Sequence, residues 1–263
     1  MFTNIPRSTY YYHLTNKTDK YIKEKELISE IYNSNYGAYG YRRITSVLRA
    51  SCGLIINHKT VQKLMKELGI KGKIRRSKYK SYKGEIGRIA PNILNRKFKV
   101  DAPFEKLVTD VTEFNVCDTK VYLSPIMDLY NNEIVSYNIS LHPDFKQTID
   151  MLNGLFKVLP AKSNPILHSD QGWQYQMKQY QYLLKKHNIT QSMSRKGNCY
   201  DNSCMENFFG RLKVEMYFGE KFKSVNTFIV ALKEYINYYN CSRISLKLNG
   251  MSPVQYRNSS HVN

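Results

Sequence analysis

Residues 101–263 carry an order of elements that few folds accommodate. An alternating run at 106–116, a second apolar run over Lys120–Tyr130 and a third over Glu133–Ser140 read as three strands, with Asn131-Asn132 as the hairpin turn between the last two. Leu107 falls out of step with the alternating Val108, Asp110 and Thr112. Then the pattern changes. Phe145–Leu159 has helical spacing and stops at Pro160, residues 165–169 form a short apolar strand, Tyr175–His187 is a helix and Ile189–Ser192 a strand. A helix carrying Glu206 and a last amphipathic helix, Thr227–Tyr239, close the chain. Three meandering strands followed by alternating helices and strands predict an α/β fold, a mixed sheet flanked by helices.

Within that order three carboxylates stand out. Asp110 lies in the first strand, Asp170 follows the apolar Ile166-Leu-His-Ser, and Glu206 sits early in a helix that opens at Asn198-Cys-Tyr-Asp-Asn-Ser. Asp201, Asn202 or Ser203 can cap that helix, and Asp201 is the expected cap. The order of elements collects the acids at one edge of the sheet. Convergent carboxylates suit hard cations, Mg²⁺ or Mn²⁺, which take oxygen ligands. Two such ions can activate a water or a 3′-hydroxyl and stabilise the leaving oxygen in phosphoryl transfer. Lys213 lies two turns beyond Glu206 on the same helix face, with Gly210 between them, placed to reach a phosphate. Glu113, Asp128 and Asp201 read as bystanders or as neighbours of the site. His168, two residues before Asp170, points to the same face and is either a phosphate contact or a buried packing residue. Trp173, the single tryptophan, either stacks on a base or packs.

The acids and the words around them resemble a known family. Leu107-Val-Thr-Asp110-Val-Thr-Glu-Phe, Leu167-His-Ser-Asp-Gln-Gly172, the run from Ser194 through Glu206-Asn-Phe-Phe209 to Lys213, and Tyr238-Tyr-Asn240 with Ser252-Pro-Val-Gln-Tyr256 are similar to the DDE transposases of bacterial insertion sequences. The resemblance is to the group whose catalytic protein is encoded by the second of two overlapping reading frames, with a retroviral-integrase-like core. One departure is Leu107, where the family usually has Trp. The resemblance implies an RNase H-like core whose Asp110, Asp170 and Glu206 are catalytic and hold two Mg²⁺ (or Mn²⁺) ions. It also implies DNA strand cleavage and strand transfer at element ends, terminal inverted repeats and target DNA as partners, and a circular DNA intermediate. A first-reading-frame protein, fused or in trans, and a homo-oligomer on DNA complete the implied assembly.

Charge divides the chain. Net charge is +19, of which residues 1–100 hold +16 (22 Lys+Arg against 6 Asp+Glu) and residues 101–263 hold +3. A strongly basic front half joined to a near-neutral back half predicts a polyanion-gripping region ahead of a catalytic core. Residues 1–70 read as helical: 19–36, a break at Gly37-Ala-Tyr-Gly, a helix with Ile44, Val47 and Leu48 inward, and His58–Gly69 with Val61, Leu64, Met65 and Leu68 inward. This predicts a small all-α, helix-turn-helix-like domain. Ser8 or Thr9 is expected to cap a helix at the N-terminus. Residues 71–100 read as a basic linker that tracks phosphates without reading sequence. The residues assigned to DNA contact are Arg42 and Arg43, Arg75 and Arg76, Arg195 and Lys196 in a basic loop over the site, and Lys213.

Composition narrows the alternatives. No apolar run is long enough to span a membrane and the N-terminus lacks a signal-peptide order, so no membrane partner and a bacterial cytoplasmic, nucleoid-associated location are expected. Five cysteines at 52, 117, 199, 204 and 241 fit neither a disulfide framework nor paired zinc ligands. Two rival readings stay open: a nuclease of the same fold that cleaves without joining, and an inactive DNA-binding repressor.

Overall fold

The computed structural model describes residues 6, 19–73, 88–195 and 199–260. The chain divides into two compact units, residues 1–72 and 73–263. The expected helix at Ser8 or Thr9 lies outside the described residues.

In the first unit, α1 (Ile22–Ser34), α2 (Tyr41–Ser51) and α3 (His58–Glu67) pack around Ile28, Ile31, Tyr39, Ile44, Leu48, Val61, Leu64 and Met65. Apart from Tyr39, which lies between α1 and α2, these are the apolar positions whose helical spacing makes each helix amphipathic. Val47 and Leu68, also expected inward, are only half-buried. Asn57 caps α3 by accepting from the Lys59 N–H at 2.8 Å. Gly69 ends the last turn with a φ of +68°, which a side chain would strain.

The second unit is a mixed sheet with helices on both faces. Its strands are β1 (Lys106–Thr109), β2 (Thr112–Val116), β3 (Thr119–Asp128), β4 (Ile134–Ser140), β5 (Ile166–Ser169) and β6 (Thr190–Met193). β3 pairs antiparallel with β1, β2 and β4; β1 pairs parallel with β5, and β5 with β6. The hairpin at Asn131-Asn132 forms as expected, with Asn132 left-handed at φ +59°. Its helices are α4 (Phe145–Val158), α5 (Lys178–Lys186), α6 (Ser203–Leu212), α7 (Val225–Cys241) and α8 (Pro253–Ser260). A 3₁₀ turn at Trp173–Gln176 replaces the expected start of the helix at Tyr175.

Successive residues of β1 face opposite layers. Val108 joins Phe208, Leu212, Phe228 and Leu232 of α6 and α7, whereas Leu107 joins Met151, Leu152, Leu155 and Leu184 of α4 and α5. A strand buried on both faces needs no polar alternation, which is why Leu107 broke the pattern.

Two expectations are corrected. The strand expected at 106–116 is interrupted at Asp110-Val111. β1 and β2 hold one register against β3, which sets Asp110 opposite Pro125. Pro125 has no N–H to give to the ladder, and its carbonyl accepts from Thr109 Oγ1 at 2.8 Å. Second, residues 88–100, expected as linker, lie against the core. Leu94 is fully buried there, and Ser192 Oγ accepts the N–H groups of Ile93 and Leu94.

Helix α4 approaches β4 closely at Gly154. A Cβ there would collide with the Ser136 hydroxyl, which donates to the Met151 carbonyl at 2.6 Å. Gly154→Ala is expected to destabilise by about 1–2 kcal/mol, because an overpacking cost of roughly 1–3 kcal/mol exceeds a helix-propensity gain of up to about 1. Thermal melting of the variant checks the sign.

Candidate active site

Asp110 and Asp170 sit one residue beyond the ends of β1 and β5, adjacent parallel strands that pair Val108 with His168. Two residues on from that pair, both aspartates stand at the same level and on the same side of the sheet. They lie at the carboxyl ends of central strands and not at a lateral edge of the sheet. Local geometry fixes each carboxylate. Asp110 Oδ1 accepts the Val111 N–H at 2.7 Å, and Asp170 Oδ1 accepts the Gly172 N–H at 2.8 Å.

Glu206 is the fourth residue of α6. Met205, Phe208, Phe209 and Leu212 bury the inner face of that helix on the layer that contains Val108. Glu206 is half-buried in the first turn, where a carboxylate favours the helix dipole. At the other end of α6 the Lys213 ammonium lies 5.2 Å from the Phe114 ring centroid.

The electrostatics connect these groups. Burial, then the charge of Asp170, then that of Glu206 push the Asp110 carboxyl well above the usual carboxylate range; the Val111 N–H and Lys213 pull it back. Burial raises Asp170, opposed by the Gly172 N–H. Beneath them, burial and the charges of Asp110 and Asp170 keep the fully buried Tyr175 phenol protonated. Tyr175 had no signal in the sequence beyond its place at a helix start. Among the described residues, no three His, Cys, Asp or Glu side chains stand close enough to hold a metal ion as they are.

Asp201 is not the expected cap. No side chain caps α6, and Asn202 occupies the cap position. The fully buried Asp201 carboxylate instead accepts from Arg195 N, Nε and Nη2 (each 3.0 Å), Arg96 Nε (2.8 Å) and Asn92 Nδ2 (2.9 Å). Arg195 chiefly holds this acid far below the ordinary carboxylate range. Asn202 Nδ2 donates to the Thr109 carbonyl at 3.1 Å, one residue before Asp110.

His168 is buried. Ser192 Oγ already accepts two backbone N–H groups, so its proton goes to His168 Nδ1 at 2.8 Å and the imidazole carries its own proton on Nε2. Burial pushes the ring down to about 4, against the charge of Asp201. Because the folded value is depressed, His168 contributes its stability above about pH 6.5 and loses it as pH falls toward 4. The wild type is therefore expected to lose about 3 kcal/mol relative to His168→Gln across that window, at 1.36 kcal/mol per unit. Urea unfolding of both proteins at several pH values measures it, and parallel curves would contradict it. Asp128, which burial raises to about 6, titrates in the same window in both proteins and cancels from the difference.

The basic residues separate into groups. Arg42 is exposed and its Nε donates to the Tyr41 hydroxyl at 3.2 Å; Arg43 is half-buried with its guanidinium 5.3 Å from the Tyr39 ring centroid. Arg195 is occupied by Asp201. Arg75, Arg76 and Lys196 lie outside the described residues. A groove beside α3, lined by Gly40, Tyr41, Lys59, Gln62, Lys63 and Lys66, adds three lysines that the sequence reading did not single out.

A mixed sheet flanked by helices, with β1 and β5 parallel at its centre, is the layout of an integrase-like core. Comparison agrees: the Integrase core domain family matches residues 100–199 and again 206–260, and the HTH-like domain family matches residues 20–78. The chain is 53 % identical over 260 residues to the putative transposase InsK for insertion sequence element IS150 of Escherichia coli K12, covering 98 % of this chain and 92 % of that protein. It is 34 % identical over 222 residues to the transposase InsF for insertion sequence IS3A of the same strain, covering 84 % and 77 %. A simian T-cell lymphotropic virus intasome structure, solved in complex with PP2A regulatory subunit B56 gamma, aligns with a TM-score of 0.51 at 14 % identity, over 88 % of this chain and 74 % of that one; the likeness is one of fold. The chain belongs to the DDE transposases of bacterial insertion sequences. It has an RNase H-like core preceded by a helical HTH-like region, and it is a polynucleotidyl transferase that cuts DNA and transfers strands. Among the described residues, no helix is long and apolar enough to cross a membrane.

Proposed function

We propose that Asp110, Asp170 and Glu206 are the catalytic acids and hold two Mg²⁺ (or Mn²⁺) ions. The observation that carries this reading is the placement of the half-buried Asp110 and Asp170 at the ends of adjacent parallel strands, with Glu206 near enough that its charge, like that of Asp170, raises the Asp110 carboxyl. Asp170 and Glu206 both oppose the ionisation of Asp110, and a divalent cation would relieve that repulsion and draw the three side chains together as the oxygen donors it prefers. Asp110 and Asp170 would hold it from the strand ends, together with Glu206 from α6. When bound, the ions supply Lewis acidity at the scissile phosphate and lower the pKa of the attacking hydroxyl or water.

In the first step a water oxygen bonds to phosphorus as the phosphorus–O3′ bond breaks, leaving a 3′-hydroxyl at the element end. In the second, that 3′-oxygen bonds in line to the phosphorus of another phosphodiester as its phosphorus–O3′ bond breaks, and the attacking hydroxyl's proton is passed through solvent to the departing 3′-oxygen, with no bond to the protein at any stage. Lys213, whose charge reaches Asp110, steadies a phosphate beside the acids.

The rest of the assembly follows the family. Residues 1–70 grip the terminal inverted repeats with Arg42 and Arg43, residues 71–87 with Arg75 and Arg76 track the backbone, and residues 101–263, with 88–100 laid against them, carry the chemistry. Arg195 and Lys196 are further DNA contacts in this reading. The protein acts in the bacterial cytoplasm as an oligomer on DNA, with a first-reading-frame protein fused or in trans, and forms a circular intermediate.

A nuclease of the same fold is the alternative. Supplying a labelled element end already cleaved to its 3′-hydroxyl, with target DNA and Mg²⁺, separates the two. Joined product is expected; cleavage of uncut ends without any joining would favour the nuclease.

A further inference from the structure

We infer that Asp201 and Asn202 are positioning residues for Glu206, and that the segment around Asn92 and Arg96 belongs to the catalytic machinery. The inference rests on the reading of Glu206 as a metal ligand. Asp201-Asn202 immediately precedes α6, and Glu206 is one turn further on. The two side chains point to different supports. Asp201 collects five donors from Arg195, at the end of β6, and from Asn92 and Arg96, more than one hundred residues earlier in the chain. Asn202 reaches the carbonyl of Thr109, the residue before Asp110. The start of the Glu206 helix is thus tied directly to the strand that presents Asp110 and, through Asp201, to a segment laid over β6.

That geometry does more than stabilise. The α6 start has no side-chain cap of its own, so its orientation depends on these external ties. A carboxylate that must meet two others at a cation tolerates little displacement, and partners that orient metal ligands commonly govern metal affinity. Arg96 and Asn92 bond the Asp201 carboxylate, and the Arg96 guanidinium lies 5.8 Å from the Tyr200 ring centroid, so both act on Glu206 through the turn that precedes α6. The Arg96 side chain is 46 % exposed, so its removal opens no large cavity.

The test uses the full chain and its Asp201→Asn, Arg96→Ala, Asn92→Ala and Glu206→Gln variants. Mn²⁺ binding is followed by calorimetric titration, folding by thermal melting, and cleavage of a labelled element end across a Mn²⁺ series. Asp201→Asn and Arg96→Ala are expected to melt cooperatively yet bind Mn²⁺ about tenfold more weakly, with cleavage restored as Mn²⁺ is raised. Unchanged Mn²⁺ affinity in Arg96→Ala, Asn92→Ala and Asp201→Asn would overturn the inference, whatever their melting temperatures. If Asp201→Asn does not fold, Arg96→Ala and Asn92→Ala decide by the same criterion. Glu206→Gln should stay inactive at every Mn²⁺ concentration. Full activity in that variant would instead remove the metal-ligand reading of Glu206, and the positioning inference with it.

Discussion

Asp110→Asn is expected to abolish cleavage and joining while raising the melting temperature of the metal-free protein at pH 7. The loss of activity should reach at least about 10³-fold, since a metal-held reaction centre is worth several kcal/mol and each 1.36 kcal/mol is tenfold in rate. The gain in stability follows from the sign of the shift. Burial and the charges of Asp170 and Glu206 raise the folded-state value of Asp110, so the folded protein binds its proton more tightly than the unfolded chain does. Stability therefore falls as pH rises from the ordinary carboxylate value through the folded one, and at pH 7 the charged group is a net cost. Asparagine removes the charge and still accepts the Val111 N–H. Each kcal/mol recovered raises the melting temperature by about 2–4 °C in a chain of this size. Mg²⁺ should reverse the ranking by raising the wild-type melting temperature alone. A variant that melts lower than wild type without metal would contradict the electrostatic account.

Arg243→Met is expected to produce the largest loss of stability, about 3–5 kcal/mol, or roughly 6–20 °C in melting temperature. Arg243 and Glu215 are both almost wholly buried, with Nε donating to Oε2 at 2.8 Å, and the Tyr235 hydroxyl donates to the same oxygen at 2.8 Å. Glu215 lies in the π-helical turn Lys213–Tyr217 that continues α6, Tyr235 in α7, and Arg243 just beyond α7. The pair locks the far end of the Glu206 helix to its neighbour. Removing the guanidinium strands a buried carboxylate; removing both charges does not. Arg243→Met with Glu215→Leu should therefore recover most of the loss. Denaturant unfolding of the two single variants and the double variant closes that cycle, and additive losses would contradict the pairing.

What the sequence disclosed was local. Alternation, helical spacing and the Asn131-Asn132 turn located the elements, because each of those signals lies within a few residues of its consequence. The three acids were visible for the same reason: each ends or opens an element and carries a recognisable word. What escaped was set by residues far away in the chain. The break at Asp110 depends on Pro125 across the ladder. Asp201 looked like a helix cap because its partners, Asn92 and Arg96, lie more than one hundred residues earlier. The 88–100 segment looked like linker because its apolar residues, Ile89, Ile93, Leu94, Phe98 and Val100, follow neither strand nor helix period, and the serine that receives Leu94, Ser192, lies 98 residues later in the chain. Glu215 and Arg243 gave no signal, since a buried ion pair announces itself only when both partners are seen together.

The most direct test of the account is cleavage of a labelled element end by the purified full chain and by Glu206→Gln, each in Mg²⁺ and in EDTA. Nicking and strand joining by the wild type in Mg²⁺ alone, with neither product from the folded variant, is the predicted result. Equal nicking by Glu206→Gln, or wild-type nicking undiminished by EDTA, would contradict it.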